Sequence, residues 1–275
     1  MPLLSFIFPG VSQVGRDLSL LAGLTIKIFI LSAFLIGTFL PAASLHSEDI
    51  IATVHDLLKG GDQLFHTRDE DDHAERAILS FRQALEANPK NYGALWRLSR
   101  SYQWQGDLAV STDEKLQAYR EAEEYARKAI ALNPKGPDGH LVLGIALGRI
   151  GETRGVMKSL SLISPIKKEM KAVLAGDPQN DVAIHVLGVL YRKVPGLFGG
   201  STRKSIQLLE KAIVLDPSRT VHYLELSRSY LEKGKTEAAL QALEALLAVT
   251  QATDPPQTKI DRKEAEVLLS ELRPE

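Results

Sequence analysis

Two decapeptides decide the fold: Arg97–Gly106, "RLSRSYQWQG", and Glu225–Gly234, "ELSRSYLEKG", which share the core "LSRSY" and a closing glycine. Internal repetition at this level is the signature of a repeat architecture. The prolines extend it. Pro89, Pro134, Pro178 and Pro217 close four related phrases, "LEANPKN", "IALNPKG", "LAGDPQN" and "IVLDPSR". Each phrase reads as a helix C-terminus stopped by Asn/Asp-Pro, because proline cannot continue a helix beyond its first turn.

Counting forward from each proline gives one register. Tyr92 leads to Leu95, Leu98, Ser99, Tyr102 and Gly106; Pro137 to His140, Leu143, Gly144, Leu147 and Gly151. Asp181 leads to Ile184, Leu187, Gly188 and Tyr191, and Thr220 to Tyr223, Leu226, Ser227, Tyr230 and Gly234. Large side chains alternate with one small one where helices approach closely, and glycine is expected to end each helix in a left-handed conformation. Second helices lie before the prolines: Ala77, Phe81 and Ala84; Ala122, Ala126 and Ala129; Ile166, Met170 and Val173; Ser205, Leu209 and Ala212. Ala239, Leu243 and Leu246 belong to the fifth unit.

This register resembles that of the tetratricopeptide repeat (TPR) superfamily, over about residues 50–253. The proline spacings of 45, 44 and 39 residues exceed its period of about 34, so the surplus is placed between the two helices of units two, three and four. Ser111 and Glu114 form a capping box, which predicts that the insertion of unit two lengthens a helix by turns. Uneven units are similar to two subgroups. "WRLSRSY" and "SPIKKEMKAVLAGDPQNDVAIHVLGVLYRKV" resemble the regulator-of-microtubule-dynamics-like group, and "PGLFGGSTRKSIQLLEKAIVLDP" resembles the T-component of TRAP transporters.

The expected fold is all-α, a TPR-like solenoid of about five helix pairs with a C-terminal cap. Its units are residues 50–91, 92–136, 137–180, 181–219 and 220–253, within a repeat domain of 45–253. Residues 254–275 supply the cap, with Ile260, Ala265, Val267, Leu268 and Leu272 on its apolar side, because a solenoid must cover its last repeat.

Residues 1–44 read differently. Behind Lys27 runs "IFILSAFLIGTFL" (Ile28–Leu40), then Pro41 and "AAS". Thirteen residues span about 20 Å as a helix, short of the ~30 Å hydrocarbon layer. This reads as a secretory signal cut after Ser44, or as an uncleaved membrane anchor. The protein is therefore expected to be exported, periplasmic or secreted, or tethered by this segment alone.

Composition narrows the function. The net charge of −1 gives no basic footprint for nucleic acid. Without cysteine there is no disulfide, thiol chemistry or thiolate zinc site. The seven histidines show no ligand spacing for a metal, and His140, His185 and His222 read as packing residues near first-helix starts. "GLFGGSTRKS" (Gly196–Ser205) lacks the Gly-Lys-Ser/Thr of a phosphate loop and reads as a turn whose Ser201 or Thr202 caps the next helix. Ser164-Pro165 is expected to start a helix with proline at its first position, and the apolar "GVMKSLSLIS" ahead of it is expected to cover the solenoid. No nucleophile–base pair appears, so no catalytic residue, cofactor or metal is assigned and a non-enzyme is expected.

What the TPR resemblance implies is a concave groove lined by places two, five, nine, twelve and thirteen of each first helix. The candidate binding residues are Trp96, Arg100 and Trp104, then Arg149, then His185, Arg192 and Lys193, then Arg228. Basic groups outnumber acidic ones at those places, which predicts a protein or peptide partner of acidic character. The Lys-Asn-Asn-Lys-Arg clamp of chaperone-binding TPRs is absent. The alternative implied by the T-component resemblance is a periplasmic accessory subunit holding a small ligand in an apolar cavity.

Overall fold

The computed structural model divides the chain into two units, residues 1–46 and 47–275, and it describes residues 47–273. The signal or anchor expected at residues 1–44 lies outside the described residues. The second unit is built from eleven α-helices and two short 3-10 turns. The first four are α1 (Ser47–His66), α2 (His73–Ala87), α3 (Tyr92–Leu108) and α4 (Thr112–Leu132). Then come α5 (Pro137–Arg154), α6 (Ile163–Gly176), α7 (Asp181–Lys193) and α8 (Thr202–Leu215). The chain ends with α9 (Thr220–Leu231), α10 (Thr236–Ala248) and α11 (Pro255–Leu272). Consecutive helices pair as α1–α2, α3–α4, α5–α6, α7–α8 and α9–α10, and α11 packs on the last pair.

Local chemistry fixes the boundaries. The Asx side chains ahead of the prolines fold back: Asn88, Asp177 and Asp216 each accept from the backbone N–H two residues on, at 3.0–3.1 Å. Asn91 and Asn180 then cap the following helices by accepting from Ala94 and Ala183. Ser111 and Glu114 close the capping box of α4, whose 21 residues absorb the insertion of unit two as helix.

Every residue triplet assigned to a second helix is buried, and within those triplets only Ile166 keeps any exposure, at 4%. The small places work as expected. Ser99 and Ser227 have no exposure, a Cβ on Gly188 would lie 2.9 Å from Leu209, and one on Gly144 would collide with Met170.

The glycine ends differ from expectation. Only Gly234 is left-handed, at φ 67°. Gly106 and Gly151 lie inside α3 and α5, which run on to Leu108 and Arg154. At Gly106 the demand is for space, since a Cβ there would strike the Tyr119 ring. The "GVMKSLSLIS" stretch forms a 3-10 turn, Val156–Leu162, entered through Gly155 at φ 84°. It covers α5 with Ser159 and Leu162, while Met157 stays 67% exposed. The turn passes directly into α6, so Pro165 sits two residues inside that helix and does not open it.

A clasp joins the two ends of the solenoid. Arg68, behind α1, donates to both carboxylate oxygens of Asp254 at 2.7 and 2.8 Å, and Lys259 of α11 reaches Asp69 at 2.5 Å. Arg68 is buried because its guanidinium lies 4.3 Å from the Trp104 ring centre and 4.5 Å from that of Phe65.

Candidate functional site

The candidate residues lie on the four first helices α3, α5, α7 and α9. Trp96 is half-buried beneath two guanidinium groups, Arg97 at 4.2 Å and Arg100 at 5.1 Å. Arg100 also lies 4.0 Å from the Phe65 ring and donates to Asp62 at 3.0 Å. Trp104 is 5% exposed, and its indole N–H has no partner.

Further along, Arg149 pairs with Asp107 at 3.0 Å and Glu152 at 3.6 Å, and Lys193 stands 3.8 Å from Glu152. Arg192 reaches Glu225, and Glu232 at 2.9 Å. Arg228 is bound to Glu225 and Glu264. The candidates are thus brought together, but not as a free basic surface: each arginine already meets a carboxylate. This corrects the expected excess of positive charge. Glu225 and the Asp107 and Glu152 carboxylates fall at places six and sixteen of their helices, outside the places that a groove count inspects. Asp62 and Glu264 belong to α1 and α11, the two elements with the weakest repeat pattern.

The pairs hold their charge in the fold. Burial opposes ionisation of Glu225, but Arg192 and Arg228 bring its carboxyl down to about 2. Burial likewise opposes Asp181, and His222 and Arg219 bring it to about 2.

His222 is fully buried. Its Nε2 lies 3.0 Å from Asp181 and its Nδ1 3.0 Å from Nδ1 of His185. Burial pushes His185 down to about 3, and it pushes His222 down against the pull of Asp181. His140 is held between Glu169 at 2.5 Å and the Pro134 carbonyl at 2.9 Å. The histidines do pack, and two of them also form a relay that no spacing rule revealed. Among the described residues no group of three or more histidines and carboxylates is placed to hold a metal.

Beside the relay lies a cavity of about 320 Å³. Ile145, Ile163, Val182 and Val189 give it apolar walls, and Arg149, His185, Glu225 and Arg228 give it a polar rim. The glycine-rich turn is structural: Gly199 is left-handed at φ 89°, Gly200 has no room for a Cβ, and Ser201 caps α8.

A family model, regulator of microtubule dynamics protein 1-3, matches residues 57–198, just over half of the chain. The chain belongs to that family. It is 23% identical over 149 residues to regulator of microtubule dynamics protein 1 of Bos taurus, covering 54% of this chain and 45% of the relative. It is 22% identical over 251 residues to protein 2 of Mus musculus, covering 86% and 60%. The chain therefore spans about half the length of the curated relatives it matches. Among solved structures, a thermophilic TPR protein of Thermus thermophilus superposes with a TM-score of 0.59 at 21% identity, covering 78% of this chain and 99% of that one. The TPR-like solenoid is thus the fold of this member of the regulator-of-microtubule-dynamics family.

Proposed function

We propose that the chain is a non-enzymatic interaction scaffold whose concave face receives a segment of a partner protein, and that residues 1–44 export it or anchor it to a membrane. The observation that carries this reading is the lattice of paired charges around an apolar cavity on that face. Exposed ion pairs contribute only ~0–1 kcal/mol each, so a partner's carboxylates exchange with Asp62 at Arg100 and with Asp107 at Arg149 at little net cost. Those arginine side chains keep 35% and 40% exposure, whereas Arg192 at 7% stays committed to its own pairs. An acidic segment fits this pattern. The name carried by the relatives makes tubulin the first partner to try.

Photocrosslinking tests the reading in the full chain. A photoreactive residue at Ile145, on the concave face, is expected to capture tubulin, and raised salt is expected to weaken capture because exposed charges are screened beyond about 8–10 Å. The same residue at Val214, which is 81% exposed away from the cavity, serves as the control. Equal capture from both positions, or from Val214 alone, would sink the proposal. N-terminal sequencing tests the leader: cleavage gives a chain beginning at Leu45, and an intact Ile28–Leu40 in the membrane fraction means an anchor. The apolar cavity also favours a second reading, a small-ligand subunit like the TRAP T-component. A native mass carrying a small apolar adduct, with no captured protein, would support it.

A further inference from the structure

We propose that the cavity between α5, α7 and α9 is a pocket for an aromatic side chain tipped with a hydrogen-bond donor, tryptophan or tyrosine, supplied by the partner segment. The inference rests on the scaffold reading and names what that segment must carry.

Three polar groups on the cavity wall lack a partner: the Ser159 hydroxyl, Nε2 of His185 and the Nε–H of Arg149. Ser159 is 7% exposed, lines the cavity, and its hydroxyl oxygen is shielded with nothing to bond. His185 also lines the cavity, and its one hydrogen-bond contact is made through Nδ1. The relay behind it sets the tautomer. The Asp181 carboxylate can only accept, so His222 donates through Nε2 and its Nδ1 is left as an acceptor. His185 must then donate through Nδ1, which leaves its Nε2 as a bare lone pair. The other charges on the wall each face one of opposite sign: Glu225 faces Arg192 and Arg228, Arg149 faces Asp107 through a terminal nitrogen, Lys193 stands 3.8 Å from Glu152, and Arg219 faces Asp181. A neutral ligand with one N–H or O–H donor suits this wall better than an ion does.

The aromatic character comes from the first half of the same face. There Arg100 lies over the rings of Phe65 and Trp96. Arg228 holds the equivalent place in the second half and lines the cavity, yet among the described residues no ring lies over it. Guanidinium groups attract aromatic faces, and tryptophan and tyrosine combine a large apolar body with a polar tip that seeks a partner when buried. A cavity of about 320 Å³ accommodates one such ring.

The test uses the full chain labelled with ¹⁵N-histidine, and N-acetyl-L-tryptophanamide, N-acetyl-L-tyrosinamide and N-acetyl-L-phenylalaninamide as probes. Long-range ¹H–¹⁵N spectra are expected to show His185 protonated at Nδ1. Its Nε2 resonance should shift on adding the tryptophan and tyrosine amides. The phenylalanine amide, which lacks the ring donor, is expected to bind about tenfold more weakly, the worth of one hydrogen bond. Ser159→Ala loses no bond within the fold, so it should keep the parent melting temperature and weaken the tryptophan amide several-fold. His185 protonated at Nε2, or equal binding of all three amides, overturns the proposal. Capture from Ile145 without amide binding would leave the scaffold standing and remove this pocket, and amide binding without capture would do the reverse.

Discussion

Arg97–Gly106 and Glu225–Gly234 are near copies in sequence, and the structure uses them differently. In both, the middle serine has no exposure and the leucine before it is buried. The first residue of the copy decides the surroundings. Arg97 draws Asp62 to 2.7 Å and, with Arg100, builds a stack of cations on Phe65 and Trp96. Glu225 instead sits between Arg192 and Arg228, and a cavity opens beside it. Three residues earlier, the first copy has Ala94 and the second His222, both fully buried. The shared letters specify the helix–helix contact. The unshared ones specify the inner face: a stack of cations on two rings in the first half, and a carboxylate held between two arginines beside an apolar cavity in the second.

The largest break in this comparison is expected at Glu225. Glu225→Gln leaves two guanidinium groups facing a neutral amide, one of them 7% exposed. Removing one member of a buried ion pair costs about 3–5 kcal/mol. Arg97→Gln, at the equivalent place, faces a more solvated Asp62 and should cost under about 1 kcal/mol. Chemical denaturation of both variants checks the contrast; equal losses would mean that the two sites are electrostatically alike.

The closing glycines sharpen the comparison at a smaller scale. Gly106→Ala drives a methyl into the Tyr119 ring, which is 4% exposed and hydrogen-bonded to Asp107 at 2.7 Å. Overpacking of this kind costs about 1–3 kcal/mol. Gly234→Ala meets no neighbour but adopts φ 67°, a left-handed strain of about 1–2 kcal/mol. Gly106→Ala should therefore melt lower. The reverse order would show that α3 and α4 yield to the added methyl.

Next in size is the clasp. Arg68→Ala deletes the pair with Asp254 and the stacking on Trp104 and Phe65, at about 1–2 kcal/mol for a partly desolvated cation–π contact and an ion pair whose carboxylate, 29% exposed, regains water. Small-angle scattering of the variant is expected to show a wider particle, because residues 68 and 254 are 186 positions apart in sequence. An unchanged profile would assign closure to helix packing alone.

The helix pairs are legible in the sequence because their signals are local. Asn/Asp-Pro stops, capping residues and the small place recur with the register, and each acts within one or two helices. The four arginines also fall on the first helices as the register requires. Their partners are not legible. Asp62, Asp107 and Glu264 reach Arg100, Arg149 and Arg228 from other helices, as Glu225 reaches Arg192, and which carboxylate meets which guanidinium depends on superhelical tilt, which no single unit encodes. The clasp is hidden for the same reason: "RDEDD" reads as a solvated acidic loop until α11 is folded beside it. The His185–His222 contact joins two helices 37 residues apart, and each histidine alone reads as packing.

That contact supplies the smallest expected effect, a pH dependence belonging to the second copy. His185 and His222 titrate below their ordinary value in the fold, while in the unfolded chain they take up protons near pH 6.5. The unfolded state therefore binds more protons below that pH, and stability falls as the pH drops from about 6.5 toward the folded value of about 3 at His185. Near pH 6 the loss from His185 is on the order of 1 kcal/mol, and His222 adds to it in the same direction. Below about pH 4 a second loss begins, as Asp181 and Glu225 protonate in the unfolded chain but stay charged in the fold down to about 2. His222→Ala gives the second copy the residue that the first carries at Ala94. It removes one titrating group and frees His185 from its relay, so the decline in melting temperature between about pH 7 and 5 should become shallower even though the variant starts lower. A decline steeper than the parent's would show that His222 is already protonated in the fold, with its Nδ1–H donating to His185.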